Sequence, residues 1–136
     1  MNTNKPIRPT DAELEILNIL WAKGPATVRD IHETLAATKD AGYTTTLKLM
    51  QIMLEKGHLR RDASGKTHIY EAAITREQTQ GQMVRRMIDT VFNGSAMQLV
   101  MQALGSHKAN AAELDEIRQY LANIEEQGNG KKGKKQ

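Results

Sequence analysis

The sequence predicts a mainly α-helical chain that carries one small β ribbon. Three observations lead there. Apolar residues recur at helical spacing through most of the chain. Hydroxyl or amide residues stand three positions before an acid or glutamine where those periods begin. After Gly57 the period changes to two short runs around a glycine turn.

The first helix begins at Thr10, whose hydroxyl can cap free amides, with Glu13 at the capping-box position. Leu14, Leu17, Ile19, Leu20 and Trp21 supply its apolar face. Lys23-Gly24-Pro25 ends it, because proline cannot continue a helix. Thr27 with Asp30 opens a second, shorter helix with the stripe Val28, Ile31 and Leu35. A polar connection, Ala37 to Gly42, leads to a third helix from Tyr43 or Thr44 to Lys56. Its stripe is Leu47, Met50 and Leu54, widened by Ile52 and Met53, and Gly57 stops it. The opposite face carries Thr44, Thr45, Lys48 and Gln51, ahead of Glu55. Hydroxyls and an amide can bond base edges, and a lysine can meet phosphate or guanine. The alternative is a solvated face on an ordinary core helix.

His58 to Asp62 and Lys66 to Glu71 flank Ala63-Ser64-Gly65 as a hairpin. With Ser64 and Gly65 as the loop, Leu59 faces Tyr70 and both lie on the core side. Arg60, Arg61 and Lys66 then project from the ribbon and its tip. Three helices and a basic ribbon describe a winged helix-turn-helix.

The C-terminal half restarts three times, at Thr75 with Gln78, Ser95 with Gln98 and Asn110 with Glu113. Val84, Ile88 and Val91, broadened by Met83, Met87 and Phe92, line the first helix, which Asn93-Gly94 breaks. Leu99, Val100, Ala103 and Leu104 line the next, before Gly105. Leu114, Ile117, Leu121 and Ile124 follow one another at spacings of 3, 4 and 3, a narrow seam. Roughly fifty residues bury little surface alone, so Leu99 and the seam are read as a dimerisation unit. Packing onto the N-terminal domain is the alternative. The expected divisions are an N-terminal arm over 1–9, a winged domain over 10–74, a helical dimerisation segment over 75–126 and a disordered basic tail over 127–136.

Composition bounds the function. The 136 residues suit one small domain plus an oligomerisation segment. Aromatic content is only 4%, so aliphatic and methionine side chains must fill the core. The net charge of +3 rests on four lysines of the tail, Lys131, Lys132, Lys134 and Lys135. The pI of about 9.2 is therefore weak testimony for nucleic acid. The lysines are read as a solvated terminus rather than as added DNA attraction. No apolar run approaches a membrane span and no signal-peptide core opens the chain, so a cytoplasmic protein is expected. Without cysteine there is no thiolate metal site or cysteine nucleophile. His32, His58, His68 and His107 lack metal-ligand spacing. His58 and His68 could approach one another on the ribbon, but they read better as surface polar residues. Asp11, Glu13 and Glu15 are first-turn acids favoured by the helix dipole. Neither a glycine-rich phosphate loop nor a Ser-His-Asp setting is present. The expectation is a non-enzyme without cofactor or metal.

Four motifs follow in order: Leu14-x-Ile16-Leu17-x-Ile19-Leu20-Trp21, Gly24-Pro25-x-Thr27-Val28-x-Asp30-Ile31, Tyr43-Thr44-Thr45-x-Leu47, and Leu54-Glu55-Lys56-Gly57-x-Leu59-x-Arg61. With Tyr70 and the break Phe92-Asn93-Gly94-Ser95, the chain resembles the penicillinase-repressor family over roughly residues 7 to 125. That family regulates beta-lactamase, methicillin-resistance and copper-transport operons. The resemblance implies a homodimeric repressor that binds a palindromic operator in double-stranded DNA. It places DNA contacts at Thr44, Thr45, Lys48 and Gln51 and on the wing at Arg60, Arg61 and Lys66, with subunits joined through the C-terminal helices. Two departures stand out. The paired cysteines of copper-responsive members are absent. The family's beta-lactamase regulators are inactivated by a protease that cuts an Asn-Phe bond. The matching position here is Gln102-Ala103, which puts induction through such a protease in question. The rival reading is a protein-interaction module that does not bind DNA.

Overall fold

The computed structural model describes the backbone of residues 8–106 and 108–134, and side chains as far as residue 129. Most of the expected N-terminal arm, residues 1–7, lies outside the described residues. The elements are α1 (Asp11–Lys23), α2 (Val28–Ala36), α3 (Tyr43–Glu55), β1 (Leu59–Asp62), β2 (Ile69–Ala72), α4 (Arg76–Thr90), α5 (Ala96–Ser106) and α6 (Ala111–Lys134). This is the expected mainly α chain with a small β wing. It divides into two compact units that meet between Arg86 and Met87.

The helix starts are chemically explicit. Thr10 caps α1 and Thr27 caps α2. In each case the third residue, Glu13 or Asp30, returns a bond to the cap's own amide. Gly24 and Gly57 adopt φ of +88° and +84°, where a side chain would be strained. The chain can therefore leave α1 and α3 sharply.

The core of the first unit joins Ile16, Leu17 and Leu20 of α1 to Ile31 and Leu35 of α2, Met50 and Met53 of α3, and Leu59 and Tyr70 of the ribbon. Two methionines at its centre fit a sequence poor in aromatics. On α1 the burial is centred on Ile16 and Leu17, while Leu14, Ile19 and Trp21 flank it half-buried. On α3 the seam runs through Thr46, Met50 and Met53 rather than Leu47, Met50 and Leu54. Thr46 is admitted because its hydroxyl donates to the Gly42 carbonyl at 3.1 Å. Leu47 and Leu54 lie half-buried beside that seam.

The ribbon corrects the expected register. Leu59 pairs with Ala72 and Arg61 with Tyr70, two residues away from a two-residue loop at Ser64-Gly65. The Asp62 carboxylate accepts from the Ser64 amide at 2.9 Å and its hydroxyl at 2.7 Å, which ends β1 early. From the other side, Tyr70 exchanges two backbone bonds with Ala26, at 2.8 and 2.9 Å. A shift of two residues preserves strand parity, so Leu59 and Tyr70 still both face the core. His58 is a second correction. It precedes β1 and is buried, rather than lying on the ribbon surface.

In the second unit, Asn93 and Gly94 take φ of +51° and +86° at the expected break. Asn110 and Glu113 form a reciprocal cap on α6. None of the side chains described in α5 and α6 is buried. Leu99, Leu114 and Ile117 are half-exposed, and Leu121 and Ile124 are exposed. The expected disorder from Gln127 gives way to helix as far as Lys134. Once nucleated, each further residue adds a backbone bond. Gln and Lys favour helix, although each of Gly128, Gly130 and Gly133 costs about 1 kcal/mol there. Among the described residues, no helix is long and apolar enough to cross a membrane.

Candidate nucleic-acid interface

Burying Thr46, Met50 and Met53 turns the opposite side of α3 outward. Thr44, Thr45, Lys48 and Gln51 are all exposed there, as the sequence predicts. Gly42 provides no side-chain cap at the start of α3. The helix is held from both ends instead. At its start, the Tyr43 ring meets His32 of α2 edge-on, with centroids 5.5 Å apart and planes at 81°. At its end, the Lys56 ammonium lies 2.9 Å from both oxygens of Glu13 on α1.

Glu13 is only 1% exposed. Burial pushes its carboxyl upward. The Thr10 amide, the Lys56 ammonium and the nearby His58 together outweigh that and hold it below 4.5. Glu13 therefore remains an anion that both caps α1 and anchors the outgoing end of α3.

The wing presents Arg60, Arg61 and Lys66, all exposed. Arg60 points its Nε at Glu71 across the ribbon at 3.2 Å, an exposed pair that contributes little to stability and can be exchanged for another anion. Arg61 and Lys66 are in no ion pair among the described residues.

Sequence reasoning missed a cleft of about 970 Å³ between α2, the first turns of α3 and the wing. Arg29, His32 and Glu33 of α2 line it, together with Tyr43 and, from the wing, Lys66 and His68. The wing tip and the flank of the third helix thus share one surface, which local periodicity could not reveal. His68 is exposed there and His58 is buried elsewhere. Among the described residues no group of three metal-ligating side chains forms.

Residues 9–123 match the family model described as penicillinase repressor. The transcriptional regulator BlaI of Mycobacterium tuberculosis (strain CDC 1551 / Oshkosh) is 28% identical over 123 residues, spanning 89% of this chain and 88% of that protein. The methicillin resistance regulatory protein MecI of Staphylococcus aureus (strain N315) is 25% identical over 118 residues, spanning 87% and 96%. Among solved structures, the Bacillus licheniformis BlaI monomeric form in complex with the blaP half-operator is 22% identical. It covers 54% of this chain and 89% of that one, with a TM-score of 0.48.

Proposed function

The chain belongs to the penicillinase repressor family, and from that premise we propose that it is a homodimeric, sequence-specific repressor occupying a palindromic operator. Residues 10–74 read the DNA and residues 75–126 join the subunits. The observation that carries this reading is α3 itself. Its polar face of Thr44, Lys48 and Gln51 stands exposed, directly opposite a core-locked seam, and the wing adds Arg61 and Lys66, both exposed and in no ion pair among the described residues.

An α-helix about 10–12 Å across fits a major groove about 12 Å wide. In that groove Gln51 and the threonine hydroxyls meet base edges, and Lys48 meets guanine or phosphate. The wing cations meet the backbone. One such domain makes few contacts. Two, joined through the C-terminal helices, make the second contact intramolecular and raise affinity without any new chemistry. The apolar side chains that a single chain leaves uncovered support this assembly: Val100, Leu104, Leu121 and Ile124. Repression follows from excluding polymerase from promoter DNA. The surroundings are those of the cytoplasm, where that DNA lies.

The test is selection of bound duplexes from random-sequence DNA, followed by footprinting across a salt series. Two symmetric half-sites one or more helical turns apart are expected, with affinity falling steeply as salt rises. Binding to protein partners without salt-sensitive binding to duplex DNA overturns the reading.

A further inference from the structure

We propose that Trp21 sets the half-site spacing the protein accepts, by locking the direction in which α4 leaves the winged domain. This positioning role rests on the dimeric DNA-binding reading above and adds what fixes the distance between its two α3 helices. Each residue from Ala73 to Arg76 is held. The Ala73 amide donates to the His58 carbonyl at 2.8 Å. The Trp21 indole Nε1–H donates to the Ile74 carbonyl at 3.0 Å, across 53 residues of chain. The Ile74 side chain packs against the core. Thr75 caps α4, its hydroxyl accepting from the Gln78 amide at 3.1 Å. The Arg76 guanidinium lies 5.8 Å from the centre of the Trp21 ring. One turn into α4, Thr79 is buried and its hydroxyl donates to the Thr75 carbonyl at 2.8 Å. The first compact unit accordingly extends to Arg86 and takes most of α4 with it.

A loose joint and a locked one give different DNA selectivity. Each added base pair moves the second half-site by about 3.4 Å and turns it by about 35°. A flexible glycine- and serine-rich joint absorbs such a change at little cost. The joint here, Ala73-Ile74-Thr75, contains neither glycine nor proline. A locked α4 passes the change on to the subunit contact or to α3 in its groove. The gain from linking two sites is lost where both contacts cannot be made together. Trp21 supplies two of the anchors, one through its N–H edge and one through its ring face. It sits on α1, away from the polar face of α3, so its effect on DNA selectivity runs through α4 rather than through a base.

The experiment measures binding of the full chain, Trp21→Phe and Arg76→Ala to an isolated half-site and to palindromes whose spacer is lengthened or shortened by one base pair. Wild-type affinity is expected to peak at one spacer and to fall by about tenfold or more at its neighbours. Trp21→Phe keeps an aromatic ring and removes the donor. It should bind the half-site as the wild type does and flatten the peak to within about threefold. Arg76→Ala, at an exposed position, should flatten it in the same direction by less. Flattening in Trp21→Phe with Arg76→Ala unchanged assigns the lock to the indole N–H alone. A folded Trp21→Phe that loses affinity equally at every spacer, with wild-type ratios between them, is a merely structural variant and overturns the inference. Where Trp21→Phe does not fold, wild-type spacing ratios in Arg76→Ala overturn it. So does a wild-type chain that prefers every palindrome to the half-site without distinguishing the spacers, and the dimeric reading then stands. A wild-type chain that binds no palindrome better than the half-site overturns the dimeric reading itself and takes this inference with it.

Discussion

The Lys56 ammonium lies 2.9 Å from each carboxylate oxygen of Glu13, so the C-terminal end of α3 is tied to the first turn of α1. The partners are unequally buried, with the Glu13 side chain 2% exposed and that of Lys56 23%. Removing Lys56 strands an anion that water cannot reach, whereas a lysine that loses its partner can turn outward. Lys56→Ala is therefore expected to cost about 2–3 kcal/mol. Glu13→Gln should cost less, because an amide oxygen can still accept from the Thr10 amide. Urea midpoints check the order, and equal losses refute the asymmetry.

The same cluster sets the response to acid. Burial pushes the His58 imidazole below 6.5; Glu13 pulls it up and Lys56 pushes it further down. An unfolded chain takes up this proton near 6.5 and the folded one only at lower pH. The unfolded state thus binds more protons in between, and stability falls as pH drops below 6.5 through the folded value. Glu13 is held below 4.5. Its contribution is present above 4.5 and is lost as pH falls through its own lowered value. Urea midpoints are expected to decline in two steps, and His58→Gln should abolish the upper one. A wild-type midpoint that stays level from about pH 7.5 to 5.5 contradicts this.

How much of this was legible in the sequence depended on how local each cause was. Thr10 with Glu13, Thr27 with Asp30, and the stops at Gly24 and Gly57 act within a few residues, and the sequence located them. Outward-facing Thr44, Lys48 and Gln51 followed from helical period alone. What the sequence missed was non-local. Tyr70 is drawn to Ala26 across 44 residues of chain, and that pairing helps set the ribbon register. His58 looked like a strand residue, but it is buried, within electrostatic reach of Glu13 and Lys56. The cleft holding Arg29 and Lys66 exists only once α2 and the wing are brought together.

The base reading proposed for α3 is separable by experiment from phosphate positioning. Gln51→Ala and Lys48→Ala are expected to weaken operator binding by about 1–3 kcal/mol per lost base contact. Unrelated duplex should be affected much less. Competition titrations with both DNAs provide the comparison. A uniform loss over all sequences reassigns the residue to phosphate.

Leu121 offers the sharpest test of the proposed dimer. It is 53% exposed in the single chain, one turn from Ile117 and Ile124 on α6. A carboxylate in a seam between two subunits must be desolvated against a twin, whereas the same carboxylate on a solvated helix face costs almost nothing. Leu121→Asp is therefore expected to shift sedimentation from dimer to monomer at micromolar concentration while leaving the folding of residues 10–74 intact. Binding to an isolated half-site should be unchanged, because α3 and the wing are untouched. Binding to the full palindrome should fall by 10²-fold or more, on the order of the gain that linking two sites provides. Wild-type affinity for the full site in a demonstrably monomeric Leu121→Asp protein would separate repression from dimerisation, and the twofold mechanism would have to be abandoned.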